Sequence, residues 1–148
     1  MLWDERIILK MDIVAKNDDE QSLLVLRREM LSRFQCQKSG NCCRCPGVVY
    51  ATAQEISSMA SLLDHSSIEF REKYVVKRKG WDVIADQEHR PNCFLKKDNT
   101  CEVYDGRPKA CRTYPDWPEI WSSKARVEAE CGVCPGLKKA YKDVSKTD

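Results

Sequence analysis

From Asp18 to Phe34 the chain reads DDEQSLLVLRREMLSRF, and its apolar positions Leu23, Leu24, Leu26, Met30, Leu31 and Phe34 return at the spacing of one helical face. Acidic residues lead this stretch and basic residues trail it, the order that complements a helix dipole. The pattern predicts a helix that stops where Gly40 and a run of cysteines begin, so that Cys36 arrives at the mouth of a loop. Two capping boxes follow. Thr52 with Glu55 opens a helix through Ile56, Met59, Leu62 and Leu63, and Ser66 with Glu69 opens one through Phe70, Tyr74 and Val75, with Gly80 as its expected stop. The alternation in WDVIA, residues 81–85, suits a short strand. In CFLKKDNTCEVY, residues 93–104, two apolar runs flank Asp98 and Asn99, a β-hairpin signal that sets Cys93 and Cys101 on opposing strands. Pro108 starts a helical turn or two presenting Cys111, a helix is expected from about Pro118 to Glu130, and a last turn or two follows Cys134. The predicted class is mainly α with a small β-hairpin.

A chain of 148 residues suits one compact domain with a modest hydrophobic core. Residues 1–17 are read as an N-terminal extension and 18–148 as the domain. The formal charge of +2, from 25 basic and 23 acidic residues, gives no reason to expect nucleic acid or a membrane surface as partner. Mean hydropathy is -0.58, and no apolar run reaches the roughly 18 residues of a bilayer span. Asp4 and Glu5 stand where a secretory signal would carry positive charge, so a cytoplasmic protein is expected; Met11 offers a second candidate start.

Nine cysteines change the picture. An even count in a secreted chain would suggest a disulfide framework, but this count is odd and a reducing compartment keeps thiols free. Adjacent Cys42 and Cys43 cannot easily bridge each other. Buried structural thiols account for single cysteines but not for four within FQCQKSGNCCRCPG, residues 34–47. Thiolates are soft ligands that select zinc, Cu(I) and iron–sulphur clusters, and a cage needs about four from different segments. The candidates are expected in loops or turns: Cys36, Cys42, Cys43, Cys45, Cys93, Cys101, Cys111, Cys131 and Cys134, with glycines close by. Four thiolates leave about two negative charges uncompensated, and of the nearby basic residues Arg107 and Arg112, flanking Cys111, are the favoured counterions. These features describe a single domain organised around a cysteine-rich metal centre.

The spacing leaves the metal open. Zinc knuckles favour C-x₂₋₄-C pairs, which only Cys131–Cys134 supplies, while wide separations suit a polynuclear iron–sulphur cluster. That C-x-x-C lacks the βαβ surroundings of a thioredoxin-like pair. His65 and His89 read as ordinary surface histidines, since Pro91 separates His89 from Cys93. No phosphate-cradling loop or cysteine–histidine pair marks a catalytic residue. Three functions therefore stand: a metal-binding protein serving electron transfer, metal handling or a partner enzyme; a metal-clipped protein-interaction module; and a thiol redox enzyme using free cysteines.

The segments FQCQKSGNCC, CFLKKDNTCEVYDGRPKACRTYP and CPGL together resemble the YkgJ-type cysteine-cluster family over residues 34–136. The resemblance implies a zinc- or iron-chelating domain. It carries Cys36, Cys42, Cys43, Cys93, Cys101 and Cys111 onto the family's cysteine positions, with Cys45, Cys131 and Cys134 as a lower tier. Arg107, Pro108, Arg112 and Pro115 fall on the family's R-P-x-x-C-R-x-[FY]-P segment. Ser39 stands where the family often has a further cysteine, and Cys45 is extra, so Cys45 is expected to compensate.

Overall fold

The computed structural model describes residues 5–44, 48–85 and 93–147, the backbone alone for 5–15 and 85. Among these residues the chain is mainly helical with one small antiparallel sheet. It divides into two compact units, Met1–Gln35 with Pro118–Asp148, and Cys36–Trp117.

The first unit holds α1 (Glu5–Arg33), α6 (Lys124–Val133) and α7 (Pro135–Ser145), with a 3-10 turn at Ile120–Ser122. Helix α1 begins well before the expected Asp18, because neither glycine nor proline interrupts the chain from Glu5 to Arg33 and Asp18 and Asp19 sit inside the helix. It packs on α7, and α6 packs on α7 and on the 3-10 turn. Met30, Val127 and Leu137 are fully buried. The helix expected from Pro118 is split at Trp121, which leaves helical geometry, and Ser123 restarts it by accepting the Arg126 N–H at 3.2 Å.

The second unit contains α2 (Asn41–Arg44), β1 (Val49–Tyr50), α3 (Ala53–Leu62), α4 (Ser67–Tyr74), β2 (Val76–Arg78), β3 (Trp81–Ala85), a 3-10 turn at Tyr104–Gly106 and α5 (Lys109–Thr113). Both expected capping boxes are present: Thr52 and Ser66 each accept the amide three residues on, and Glu55 and Glu69 accept the cap residue's amide in return. Helix α4 ends at Tyr74 rather than at Gly80, as the β-branched Val75 and Val76 turn extended. Lys79 (φ 50°) and Gly80 (φ 83°) instead form the tight turn joining β2 to β3. Val76 pairs with Val83 and Arg78 with Trp81, and β1 pairs on the other side, giving the order β1-β3-β2. WDVIA is thus a strand as the alternation predicts. Ile56, Met59, Ala60, Phe70, Ile84, Phe94 and Val103 form the core between sheet and helices, with Cys93 and Cys101 packed against it.

The hairpin expected at 93–104 is reduced to an isolated bridge, Leu95 with Cys101. Asp98 holds its turn by accepting both the amide (3.1 Å) and the hydroxyl (2.6 Å) of Thr100, while Asn99 takes φ 65°.

Candidate metal centre

Three stretches of the second unit carry the thiols: the turn at Ser39–Arg44, the hairpin at Cys93–Cys101, and α5. Gly40 takes φ 73°, and its carbonyl accepts the amides of Cys43 (3.1 Å) and Arg44 (3.3 Å). A Cβ at this position would meet Leu95 Cδ2 at 3.0 Å. The Ser39 hydroxyl accepts the Asn41 N–H at 3.3 Å. Arg44 donates to the Ser39 carbonyl at 2.7 Å and to Asn99 Oδ1, tethering the Cys42–Cys43 turn to the tip of the hairpin.

Arg107 reaches back to the Tyr104 carbonyl at 2.8 Å and lies 3.8 Å over the Tyr104 ring. Burial raises the pKa of both Cys101 and Cys111, and the Arg107 charge partly offsets that rise at each. Arg112 donates to the Arg107 carbonyl at 2.9 Å, and its other amino group lies 3.6 Å from Glu55. Glu55 also accepts the Lys109 amide at 2.9 Å. Trp117 secures the same short helix from the other side, its Nε1–H donating to the Ala110 carbonyl at 2.8 Å.

Five thiols act on one another. The Cys43 thiol is pushed far above the usual range, first by its hydrogen bond with Cys42, then by burial and by the charges of Cys42, Cys93 and Cys101. Cys111 is pushed up to about 12, chiefly by burial and further by Cys93, Cys101 and Cys42. Cys101 is raised by burial, with Cys42 adding to it. Cys42, Cys43, Cys93, Cys101 and Cys111 therefore share a neighbourhood, although among the described residues no three His, Cys, Asp or Glu side chains stand at the spacing of one compact metal cage. Their chemistry fits soft cations: Cys43, Cys101 and Cys111 are half-buried and resist ionisation, Cys42 beside them is exposed, and a positive centre among them would relieve the buried three.

Of the remaining candidates, Cys36 is exposed, and its Sγ accepts the Lys38 N–H at 3.4 Å. Cys45 and His89 lie outside the described residues. Cys131 and Cys134 belong to the first unit. Cys131 is buried inside α6 and pushed up to about 11, by burial first and then by Cys134, Glu128 and Glu130. Cys134 stands between α6 and α7. The expectation of cysteines in loops or turns fails at Cys42 and Cys43, on the four-residue α2, and at Cys131, inside α6, whereas Cys111 lies on the short helix α5 as expected of the turns that follow Pro108. His65 is half-buried beside the Tyr74 ring, 6.0 Å centroid to centroid. Glu55 is the residue that sequence reasoning missed. Its capping box is a local pattern, but its bond to Lys109 spans 54 positions and leaves no mark in the sequence.

In comparison with known proteins, the family model CxxCxxCC, described as "Putative zinc- or iron-chelating domain", matches residues 35–135. No solved structure matches the chain. No helix among the described residues is long and apolar enough to cross a membrane.

Proposed function

Because the chain belongs to the CxxCxxCC family of zinc- or iron-chelating domains, we propose that Cys42, Cys43, Cys93, Cys101 and Cys111, joined by Cys36, hold an iron–sulphur cluster in the cytoplasm and that the centre serves electron transfer to a partner protein. The observation that carries this reading is the mutual effect of five thiols drawn from three stretches of the second unit. Such a set exceeds the four ligands of one structural zinc. Thiols from three stretches, near enough to influence one another, suit a cluster whose irons are themselves several ångströms apart. When bound, such a centre would supply one-electron chemistry. The chain's own part would be to shield it, with Phe94 and Val103 of the core next to the thiol-bearing hairpin and Arg107 offsetting its negative charge.

Zinc is the second reading, favoured by the family's description, and it would make the centre a clip for a protein-interaction surface. Anaerobic purification with elemental analysis and a visible spectrum separates the two. Iron with acid-labile sulphide and colour that bleaches on reduction is the expected result. Colourless protein with stoichiometric zinc would select the clip, and protein free of both metals would leave the thiol redox enzyme in place of either.

A further inference from the structure

The thiol at position 111 sits on the least supported element of the centre. Helix α5 has five residues and receives no side-chain cap from Pro108. Its own bonds are few: the amides of Cys111 and Arg112 both return to the Pro108 carbonyl at 3.0 Å. A turn of this length has no cooperative stability of its own, and its orientation is set by what holds it from outside.

One carboxylate supplies much of that hold. A capping box asks a single task of its glutamate, which Glu55 performs through Oε2, accepting the Thr52 N–H at 2.9 Å. Its other oxygen, Oε1, accepts the Lys109 N–H at 2.9 Å, the first amide of the turn, and lies 3.6 Å from the Arg112 guanidinium. Lys109 and Arg112 straddle Cys111, so one oxygen fixes the chain on both sides of the thiol. The preceding turn is seated on the same helix. At Gly106 a Cβ would meet Ser58 C at 3.2 Å and Met59 N at 3.3 Å, so the backbone from Gly106 onward runs flush against α3. The Glu55 side chain is only 14% exposed, which limits the competition from water for these bonds.

We infer that Glu55 is a positioning residue for Cys111, orienting the thiol toward the centre through the Lys109 amide and the Arg112 guanidinium rather than by touching the metal. The inference rests on the metal-chelating reading and assigns this residue a role beyond capping α3. Partners that orient a ligand typically contribute about 10–100-fold to metal affinity.

The test measures Co²⁺ binding to the reduced full chain by competition with a chelator, together with the intensity of the thiolate-to-cobalt absorption. Glu55→Ala is expected to weaken Co²⁺ binding about 10-fold or more and to lower the thiolate absorption per cobalt. Glu55→Gln, which keeps one oxygen acceptor, should fall between it and the parent. Thr52→Ala removes the other half of the capping box, the acceptor of the Glu55 N–H, and leaves the Lys109 bond in place. It should lower the unfolding temperature but leave cobalt affinity and spectrum as in the parent. If both Glu55 variants bind cobalt as Thr52→Ala does, Glu55 is only a cap and the inference is overturned. Should Glu55→Ala not fold, Glu55→Gln decides alone on the same readout. A parent chain that binds neither cobalt nor, on anaerobic reconstitution with iron and sulphide, a cluster contradicts the metal-chelating reading itself, an outcome distinct from either.

Discussion

Ser39 and Arg44 show how single side chains prepare the cysteine turn without being ligands. A hydroxyl is a poor partner for soft metals, and Ser39 spends it on the Asn41 amide; Arg44 spends its charge on the Ser39 carbonyl and Asn99. The thiols themselves carry a clear pH signature. Cys111 rises from an ordinary 9.0 to about 12 in the folded chain, burial being the main cause. A raised folded pKa means that the unfolded chain releases this proton first. The contribution of Cys111 to stability is therefore complete below pH 9 and is lost as pH climbs from there toward 12. Thermal unfolding of the metal-free chain should show a falling midpoint over that window, and Cys111→Ser should remove part of the fall. An identical pH profile in the variant would contradict the assignment. At neutral pH Cys43, Cys101 and Cys111, all pushed upward, are protonated, so zinc uptake through them must expel roughly one proton for each thiolate formed. Calorimetry in two buffers of different ionisation enthalpy counts them.

Elements depend on where backbone can approach backbone. At Gly136, in the first turn of α7, a Cβ would lie 2.4 Å from the Gln35 carbonyl oxygen and 2.8 Å from the Phe34 ring, both just beyond the end of α1. The late C-P-G of the sequence thus marks a close helix contact as well as a cysteine. Gly136→Ala should cost about 2–3 kcal/mol, because α7 must shift off α1. Gly132, exposed on α6 with nothing within 4 Å of a Cβ, makes the control: Gly132→Ala should stabilise by about 0.5 kcal/mol through reduced backbone entropy. Urea midpoints measure both, and equal effects would refute the packing argument. The same contrast separates what the sequence disclosed from what it hid. Capping boxes at Thr52 and Ser66 and the Asp98–Asn99 turn were legible because each is satisfied within four residues. Gly80 was misread because glycine ends helices and turns hairpins by the same left-handed freedom, and only the strand pairing distinguishes them. Asp18 looked like the start because acidic residues lead the amphipathic stretch there, and nothing local records that helical chain continues on its other side.

At the scale of the whole molecule, the two units differ in what maintains them. In the first, α6 and α7 are regular helices of 10 and 11 residues that bury Val127, Leu137 and Ala140. In the second, the segment from Cys93 to Thr113 has an isolated bridge, a 3-10 turn and a five-residue helix, and it gives Phe94 and Val103 to the core. So little regular backbone provides few cooperative hydrogen bonds, and local opening is correspondingly cheap. A centre gripped by thiols at Cys42, Cys43, Cys93, Cys101 and Cys111 would join the chain across that weak stretch, making its binding energy also folding energy there. Stripping the metal with a chelator under reducing conditions should therefore release amide protection at 41–44 and 93–113 first. The amides of α6 and α7 should keep theirs, and those of α3, held by the Thr52 capping box and the buried Ile56 and Met59, should fall between. Hydrogen exchange followed by mass spectrometry resolves these segments. Uniform loss across both units would mean that the metal acts on global stability alone, and unchanged protection at 93–113 would mean that the thiols do not bind it. The site was legible as a set of cysteines because soft-ligand chemistry is written in residue type. What binds those cysteines to one another, through Arg44, Glu55 and Arg112, is written only in three dimensions, and the order in which protection is lost would report on that wiring.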